Sequence, residues 1–160
     1  MPIDLRSEIK QGKPFESLEQ EAHLNLERTT AVLGHALGDS LRRFRITPTQ
    51  YNALRILRGA GSQGLSRNEV RDRLISQVPD VTRLLDRLEE SGFAERERLT
   101  TDRRLVATRI TDKGLAVLSE LDAPVAAMHR RAFGHMSPDQ LRTLIELLTI
   151  AREGGGVRCE

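Results

Sequence analysis

Long helical stripes of apolar residues run along both ends of the chain. One face of a long helix over residues 17–44 carries Leu18, Ala22, Leu26, Leu33, Leu37 and Leu41. One face of the last helix carries Leu141, Leu144, Ile145 and Leu148. The stripes are too extensive for the short middle segment to cover. A second copy of the chain is their simplest partner, and an intramolecular bundle is the alternative.

Capping boxes mark where three helices begin. In each box a Ser or Thr precedes a Gln or Glu by three residues, so that side chains and backbone amides satisfy one another. The boxes are Thr47–Gln50, Ser66–Glu69 and Ser137–Gln140. We therefore expect helices to begin near residues 48, 67 and 138, and the first of them to end in the glycine-rich loop 59–64. Thr111 caps a further helix, which Pro124 is expected to kink or break.

The period changes in the middle of the chain. A short helix is expected from near Pro79 to Gly92, with its apolar stripe at Val81, Leu84, Leu85 and Leu88. Two short strands follow, at 93–98 and 105–110, around a polar, arginine-rich tip. The order predicts a mainly α fold with a small β-hairpin wing, a winged helix-turn-helix. Residues 47–110 would form this lobe, and residues 1–46 and 111–160 a helical dimerisation lobe.

Composition narrows the class of protein without identifying it. The chain has 160 residues, enough for one domain or two small lobes that share a core. Its net charge is +2 and its pI about 9.1, which permits a nucleic-acid partner but does not require one. We find no membrane-spanning apolar run and no signal peptide, so the cytoplasm is the expected compartment. The polar first dozen residues are expected to be a loose arm, and the glycines at 154–156 to end the ordered structure.

The positions of the basic residues along the chain say more about a possible partner than the net charge does. Residues 65–110 carry ten basic groups, and all ten are arginines. Arginine suits bidentate contacts to phosphate or guanine better than lysine does. The same residues include nine acidic groups, so the net charge of the segment is only +1, and composition alone does not identify a DNA-binding protein.

Several motifs, in this order and spacing, resemble one family. The helix sequence VTRLLDRLEESGF at 81–93 resembles the recognition helix of MarR-family transcriptional regulators. The sequences DRR at 102–104 and RITDKG at 109–114 resemble the wing and the helix after it, and TPTQYNAL at 47–54 resembles the second helix. The resemblance spans about residues 18–152. It implies a homodimer, and many members are repressors released by small aromatic or anionic ligands, or by cysteine oxidation.

The resemblance and helix geometry together suggest DNA contacts. The helix at 79–92 would enter the major groove, with Asp80, Thr82 and Arg83 near bases or flanking phosphates and Arg87 on the backbone. In the wing, an arginine would reach the minor groove, and sequence does not choose between Arg103 and Arg104. The full candidate set is Ser66, Arg67, Asn68, Pro79, Asp80, Thr82, Arg83, Arg87, Asp102, Arg103 and Arg104.

Each of these motifs also has a purely structural interpretation. The helix could be a solvated face whose Asp86 forms ordinary ion pairs, the hairpin a charged loop, and Ser66 only an N-cap. In the family, effectors bind where the first long helix, the second helix and the fifth meet. Phe44, Tyr51 and Arg55 lie in matching stretches, but we assign no ligand residue.

The sequence also limits other functions. A phosphate-binding glycine loop, a nucleophile elbow and metal-ligand spacing are all missing, so we expect no enzyme, cofactor or metal site. The single cysteine, Cys159, excludes an intrachain disulfide and lacks a neighbour that would activate it. The expected function is a homodimeric repressor that binds a pseudo-palindromic operator on double-stranded DNA and is released by a small molecule. The alternative is a winged-helix protein–protein interaction module that does not bind DNA.

Overall fold

The computed structural model describes residues 4–98 and 106–153, and these are mostly helical. The helices are α1 (Leu5–Glu8), α2 (Leu18–Leu41), α3 (Pro48–Ala60), α4 (Arg67–Arg73), α5 (Val81–Glu90), α6 (Asp112–Phe133) and α7 (Pro138–Glu153). The strands are β1 (Ala94–Arg98) and β2 (Val106–Ile110). Single 3₁₀ turns follow α2 and α3. The described part of the chain contains no helix both long and apolar enough to cross a membrane.

The three capping boxes form as the sequence predicts. The Thr47 hydroxyl accepts from the Gln50 backbone N–H at 3.1 Å, and Gln50 Oε1 accepts from the Thr47 N–H at 2.9 Å. The boxes at Ser66 and Ser137 show the same reciprocal bonds. The predicted helix starts near 48, 67 and 138 are confirmed. They were predictable because a capping box depends only on residues three apart.

The short helix α5 differs slightly from the helix expected at 79–92. It begins at Val81, because Asp80 is its N-cap and accepts from the Arg83 N–H at 2.9 Å. Pro79 therefore lies before the helix rather than in it. At the other end α5 stops at Glu90, and Gly92 takes the left-handed conformation (φ 73°) that turns the chain into β1.

The hairpin and α4–α5 together form a winged helix-turn-helix. β1 and β2 are antiparallel, with Ala94 opposite Ile110 and Arg98 opposite Val106. Leu65, just before α4, adds a third pairing through two backbone hydrogen bonds to Thr108. Gly64 permits this approach, because a Cβ there would lie 2.7 Å from the Thr108 carbonyl oxygen. The predicted fold class is confirmed.

One hydrophobic core joins the winged segment to the long helices. α2, α3 and α6 contribute to it together with α4, α5 and β1. Its largest fully buried side chains are Leu41, Leu54, Leu57, Val70, Leu85, Leu88, Leu118 and Leu121. At its edge, Arg58 on α3 forms a bidentate pair with Asp122 on α6, at 2.9 and 3.1 Å. The hydrogen bonds that Arg58 donates to Asp122 raise the pKa of Arg58 further, so its guanidinium stays charged.

Pro124 does not break its helix. α6 runs continuously from Asp112 to Phe133 through it. The proline is exposed, whereas Leu121, Val125 and Met128 on the opposite face are buried in the core. The carbonyl that loses its N–H partner can therefore face water, while packing holds the helix together across the proline. Of the expected kink or break, the break is wrong because tertiary packing outweighs the local penalty, and the kink stays a prediction.

The N-terminal segment is also more ordered than expected. Residues 5–8 form α1, whose N-cap Asp4 accepts from the Ser7 N–H at 2.8 Å. Leu5 is buried, and Glu8 Oε1 lies 2.7 Å from the guanidinium of Arg28 on α2. The expected loose arm is therefore corrected from residue 4 onward, because a buried leucine and an ion pair hold α1 in place.

Candidate nucleic-acid interface

The N-termini of α4 and α5 lie side by side on one surface. Nη1 of Arg67, at the start of α4, is 3.4 Å from the Thr82 hydroxyl at the start of α5. Of the eight candidate residues on these two helices or just before them, seven are exposed, namely Arg67, Asn68, Pro79, Asp80, Thr82, Arg83 and Arg87. Ser66 is half-buried. The two helix starts therefore meet beside arginines, whose guanidinium groups suit contacts to phosphate.

The apolar side of α5 determines which residues face outward. Val81, Leu84, Leu85 and Leu88 are buried in the core. Arg83 and Arg87, one turn apart, point away from it and are exposed. Neither forms an ion pair with another residue in the ranges 4–98 and 106–153. Within these ranges, no carboxylate therefore competes with an external ligand for either guanidinium group.

Two of the candidates cap the helices. The Ser66 hydroxyl and N–H both bond to Glu69 Oε2 at 2.8 Å, so Ser66 acts as an N-cap. These bonds, from the Ser66 backbone and then its side chain, hold the pKa of Glu69 below its ordinary value. The Asp80 carboxylate likewise caps α5. Both residues shape the surface whether or not they contact DNA.

The interpretation of Asp86 as half of an ordinary ion pair agrees with the structure. Its Oδ1 lies 2.6 Å from Nη2 of Arg96 on β1. Sequence reasoning did not single out Arg96, because the contact spans ten residues and depends on how β1 folds back over α5. The signal available in the sequence was strand alternation, which places Arg96 on the opposite face from Glu95 and Glu97. In the structure Arg96 is half-buried, and the two glutamates are exposed.

The wing residues lie outside the described part of the chain. β1 ends at Arg98 and β2 begins at Val106. The candidates Asp102, Arg103 and Arg104 fall between the described ranges, and Cys159 falls after them. The positions of β1 and β2 nevertheless place the wing directly after α5 in the chain.

A cavity lies where α2, α3 and α6 meet. Its volume is about 260 Å³, and its lining is Leu37, Pro48, Thr49, Tyr51, Asn52, Arg55, Ile75, Ser76, Val125 and His129. Tyr51 and Arg55, which the sequence placed in the relevant stretches, both line it, whereas Phe44 does not. Asn52 Oδ1 accepts from the backbone N–H of Ile75 at 2.9 Å. The cavity wall is thus bonded to the turn that leads from α4 to α5.

The described residues contain no group of three or more His, Cys, Asp or Glu side chains that could hold a metal ion. His23 and His35 instead lie 3.7 and 3.6 Å from Glu27 and Asp39, one helical turn away.

An arginine-bearing helix before a β-hairpin, set on a helix-turn-helix, defines the winged helix-turn-helix class of DNA-binding regulators. The family model described as "MarR family" matches residues 46–106. The chain is 34% identical over 139 residues to the uncharacterized HTH-type transcriptional regulator YkoM of Bacillus subtilis, covering 84% of this chain and 88% of YkoM. The chain therefore belongs to the MarR family of DNA-binding transcriptional regulators and is not an enzyme.

Solved structures agree with this assignment. A MarR transcription factor from Planctomyces limnophilus is 39% identical, with a TM-score of 0.65 over 86% of this chain and 99% of that one. A MarR mutant from E. coli complexed with operator DNA has a TM-score of 0.75 over 93% and 99% of the two chains. Its identity is 24%, so this likeness supports the fold alone.

Proposed function

We propose that the protein is a sequence-specific repressor that acts as a homodimer on a pseudo-palindromic operator and is released by a small molecule. The observation that carries the proposal is the surface of α5. Its apolar face is buried, its N-terminus lies against that of α4, and Arg83 and Arg87 are free of partners among the described residues. A helix held in this way can enter the major groove with its first turn toward the bases.

Each candidate has a role in this proposal. Thr82 and Arg83 read bases or flanking phosphates, and Arg87 contacts the backbone. Arg67 and Asn68 contact phosphate, while Ser66, Pro79 and Asp80 place the two helix starts beside it. In the wing, Asp102 orients either Arg103 or Arg104 toward the minor groove.

The terminal helices support the dimer. α7 buries none of its residues against the rest of its own chain, and Ile145 is 64% exposed. Leu18 and Val32 on α2 are exposed as well. We propose that residues 1–46 and 111–160 form the dimerisation lobe and residues 47–110 the DNA-binding lobe. Two copies would then present their α5 helices to successive major grooves, about one helical turn apart.

The cavity between α2, α3 and α6 is our candidate effector site. Arg55 and His129 offer polar groups beside apolar Leu37 and Val125, which suits a small molecule with one anionic or polar end. Regulation of DNA binding by 6-hydroxynicotinic acid is described for Bordetella bronchiseptica BpsR, a structural neighbour of 22% identity. Release would follow from a shift of α3 that passes through Asn52 to the turn before α5.

Fluorescence anisotropy tests the proposal. A labelled duplex from the DNA beside the protein's own gene is titrated at several salt concentrations, with random duplex as competitor, for the wild type and an Arg103→Ala/Arg104→Ala variant. We expect competitor-resistant binding that weakens steeply with salt and in the variant. Adding 6-hydroxynicotinic acid to the complex, with an Arg55→Ala variant as control, tests release.

The alternative is a winged-helix interaction module that does not bind DNA. Absence of binding to any duplex at low salt would favour it. Arg83 and Arg87, which form no ion pair within the described ranges, favour DNA because guanidinium groups suit bidentate contacts to phosphate and guanine. A cytoplasmic location follows from the same proposal, since an operator lies on chromosomal DNA.

A further inference from the structure

One arginine outside the candidate set joins the two parts of the molecule that are proposed to contact DNA. Arg96 lies in the middle of β1, and its side chain is 26% exposed. Its guanidinium reaches back across α5 to three groups, namely the Thr82 carbonyl oxygen at 3.3 Å, Asp86 Oδ1 at 2.6 Å and Glu89 Oε2 at 3.7 Å.

The three groups follow one side of α5. Positions 82, 86 and 89 are spaced by four and three residues, so they lie above one another along nearly two helical turns. Apolar contacts between α5 and β1 resist separation of the two elements, but they are not directional and permit sliding and rotation. A planar guanidinium that bonds along the side of a helix restricts both sliding and rotation, because its N–H donors have fixed directions.

The charges around Arg96 argue against a direct contact with DNA. Two carboxylates, Asp86 and Glu89, lie next to the one guanidinium. The local charge is therefore not positive, and the donors of Nη2 are already used within the chain. A phosphate contact would require these bonds to break.

We propose that Arg96 is a positioning residue for DNA recognition, which sets the orientation of the recognition helix α5 relative to the wing without touching DNA. The inference rests on the proposed function, because it takes α5 and the hairpin as the DNA-binding elements. Thr82 is the point of coupling, since its carbonyl is held by Arg96 while its hydroxyl lies beside Arg67. Without Arg96, α5 and the wing would each still be able to bind DNA, but they would no longer be held in the relative orientation that lets both bind at once.

The test compares operator and random DNA. A duplex selected from a random pool by the wild-type dimer serves as operator. We expect Arg96→Gln to lose about tenfold or more in operator affinity, the size of one or two charge-assisted hydrogen bonds. Affinity for random duplex should change little, because no phosphate contact is removed. Equal losses on both duplexes would make Arg96 a backbone contact or a general structural residue, and an unchanged operator affinity would also overturn the proposal.

Arg98→Gln is the matched control. Arg98 is two residues further along the same strand and exposed, and within the described residues it makes no hydrogen bond or ion pair with α5. Its substitution removes the same charge, so it should leave the ratio of operator to random affinity unchanged. A ratio that falls as far as in Arg96→Gln would refute a specific role for Arg96.

A second arm tests the coupling to the wing. In the Arg103→Ala/Arg104→Ala background, Arg96→Gln should cost much less than in the wild type, because the wing contact is already lost. Fully additive losses would overturn the coupling. If Arg96→Gln does not fold, Asp86→Asn and Arg96→Lys, which keep part of the contact, should show the same selective loss at smaller size. A wild type that selects no duplex would overturn both this inference and the proposed function.

Discussion

α5 and α7 both carry an apolar stripe, but the two stripes have different surroundings. The apolar stripe of α5 lies entirely in the core of its own chain, whereas α7 has no buried residue. Periodicity shows that a helix has a face to cover, but not which molecule covers it. The contrast indicates that α5 completes its packing within one chain, while the apolar stripe of α7 stays partly exposed there.

Truncating matched leucines in the two regions should give the largest effect. Leu88 on α5 is fully buried, whereas Leu147 on α7 is 58% exposed. We expect Leu88→Ala to lower the free energy of unfolding by about 2–5 kcal/mol, through lost burial and a cavity. Leu147→Ala should cost clearly less in the same chemical denaturation at protein concentrations where the chain is monomeric. Similar losses at that dilution would show that α7 packs against its own chain as fully as α5.

A charge on the exposed face of α7 tests whether a second copy of the chain packs against that face. Ile145→Asp should weaken self-association by about 2–4 kcal/mol, because a carboxylate would be buried at the contact. Sedimentation velocity across a concentration series measures this change. The control is Ile75→Asp, since Ile75 is 87% exposed but lies far along the chain from α7, in the turn before α5. A dimer that tolerates Ile145→Asp would exclude α7 from the interface.

Local signals were the predictable part of this fold. The starts of α3, α4 and α7 follow from capping boxes, and the hairpin from the change of period. Features that depend on distant residues were not predictable, such as the intact helix at Pro124 and the docking of Leu5. The same holds for the candidate site. The helical period identifies Arg83 as an outward-facing residue of α5. Arg96 is identified only from the structure, in which β1 packs against α5.

Arginines in the two regions should differ in their effect on DNA binding. Arg83 on α5 is exposed and has no carboxylate partner within the described ranges, whereas Arg142 on α7 pairs with Asp139 at 2.5 Å. We expect Arg83→Ala to weaken operator binding by about 1–3 kcal/mol and relax base preference if it reads a base. Anisotropy with operator and random duplexes measures both. Arg142→Ala should leave both affinities unchanged, and equal losses on the two duplexes would place Arg83 on phosphate.

The smallest expected effect is a pH-dependent contribution to stability from the capping box of α4, which the capping box of α7 lacks. Glu69 closes the capping box of α4, whereas Gln140 occupies the same position in the box of α7. Hydrogen bonds from Ser66 lower the pKa of Glu69 from its ordinary value of 4.5. Because the folded pKa is the lower one, the stabilisation is present above the unfolded pKa and is lost as pH falls through the folded pKa.

Thermal unfolding of wild type and Glu69→Gln over a pH series measures this contribution. Glutamine keeps the capping geometry but does not titrate, so the variant should be less stable at neutral pH and equal to the wild type in acid. The reverse change, Gln140→Glu, should introduce a similar pH-dependent gain at the start of α7. Asp4 and Glu19, whose pKa values are also lowered, are unchanged in every variant and cancel in the difference. A stability difference between wild type and Glu69→Gln that does not vary with pH would mean that the Glu69 charge contributes nothing to the cap, and that the two boxes differ only in side-chain identity.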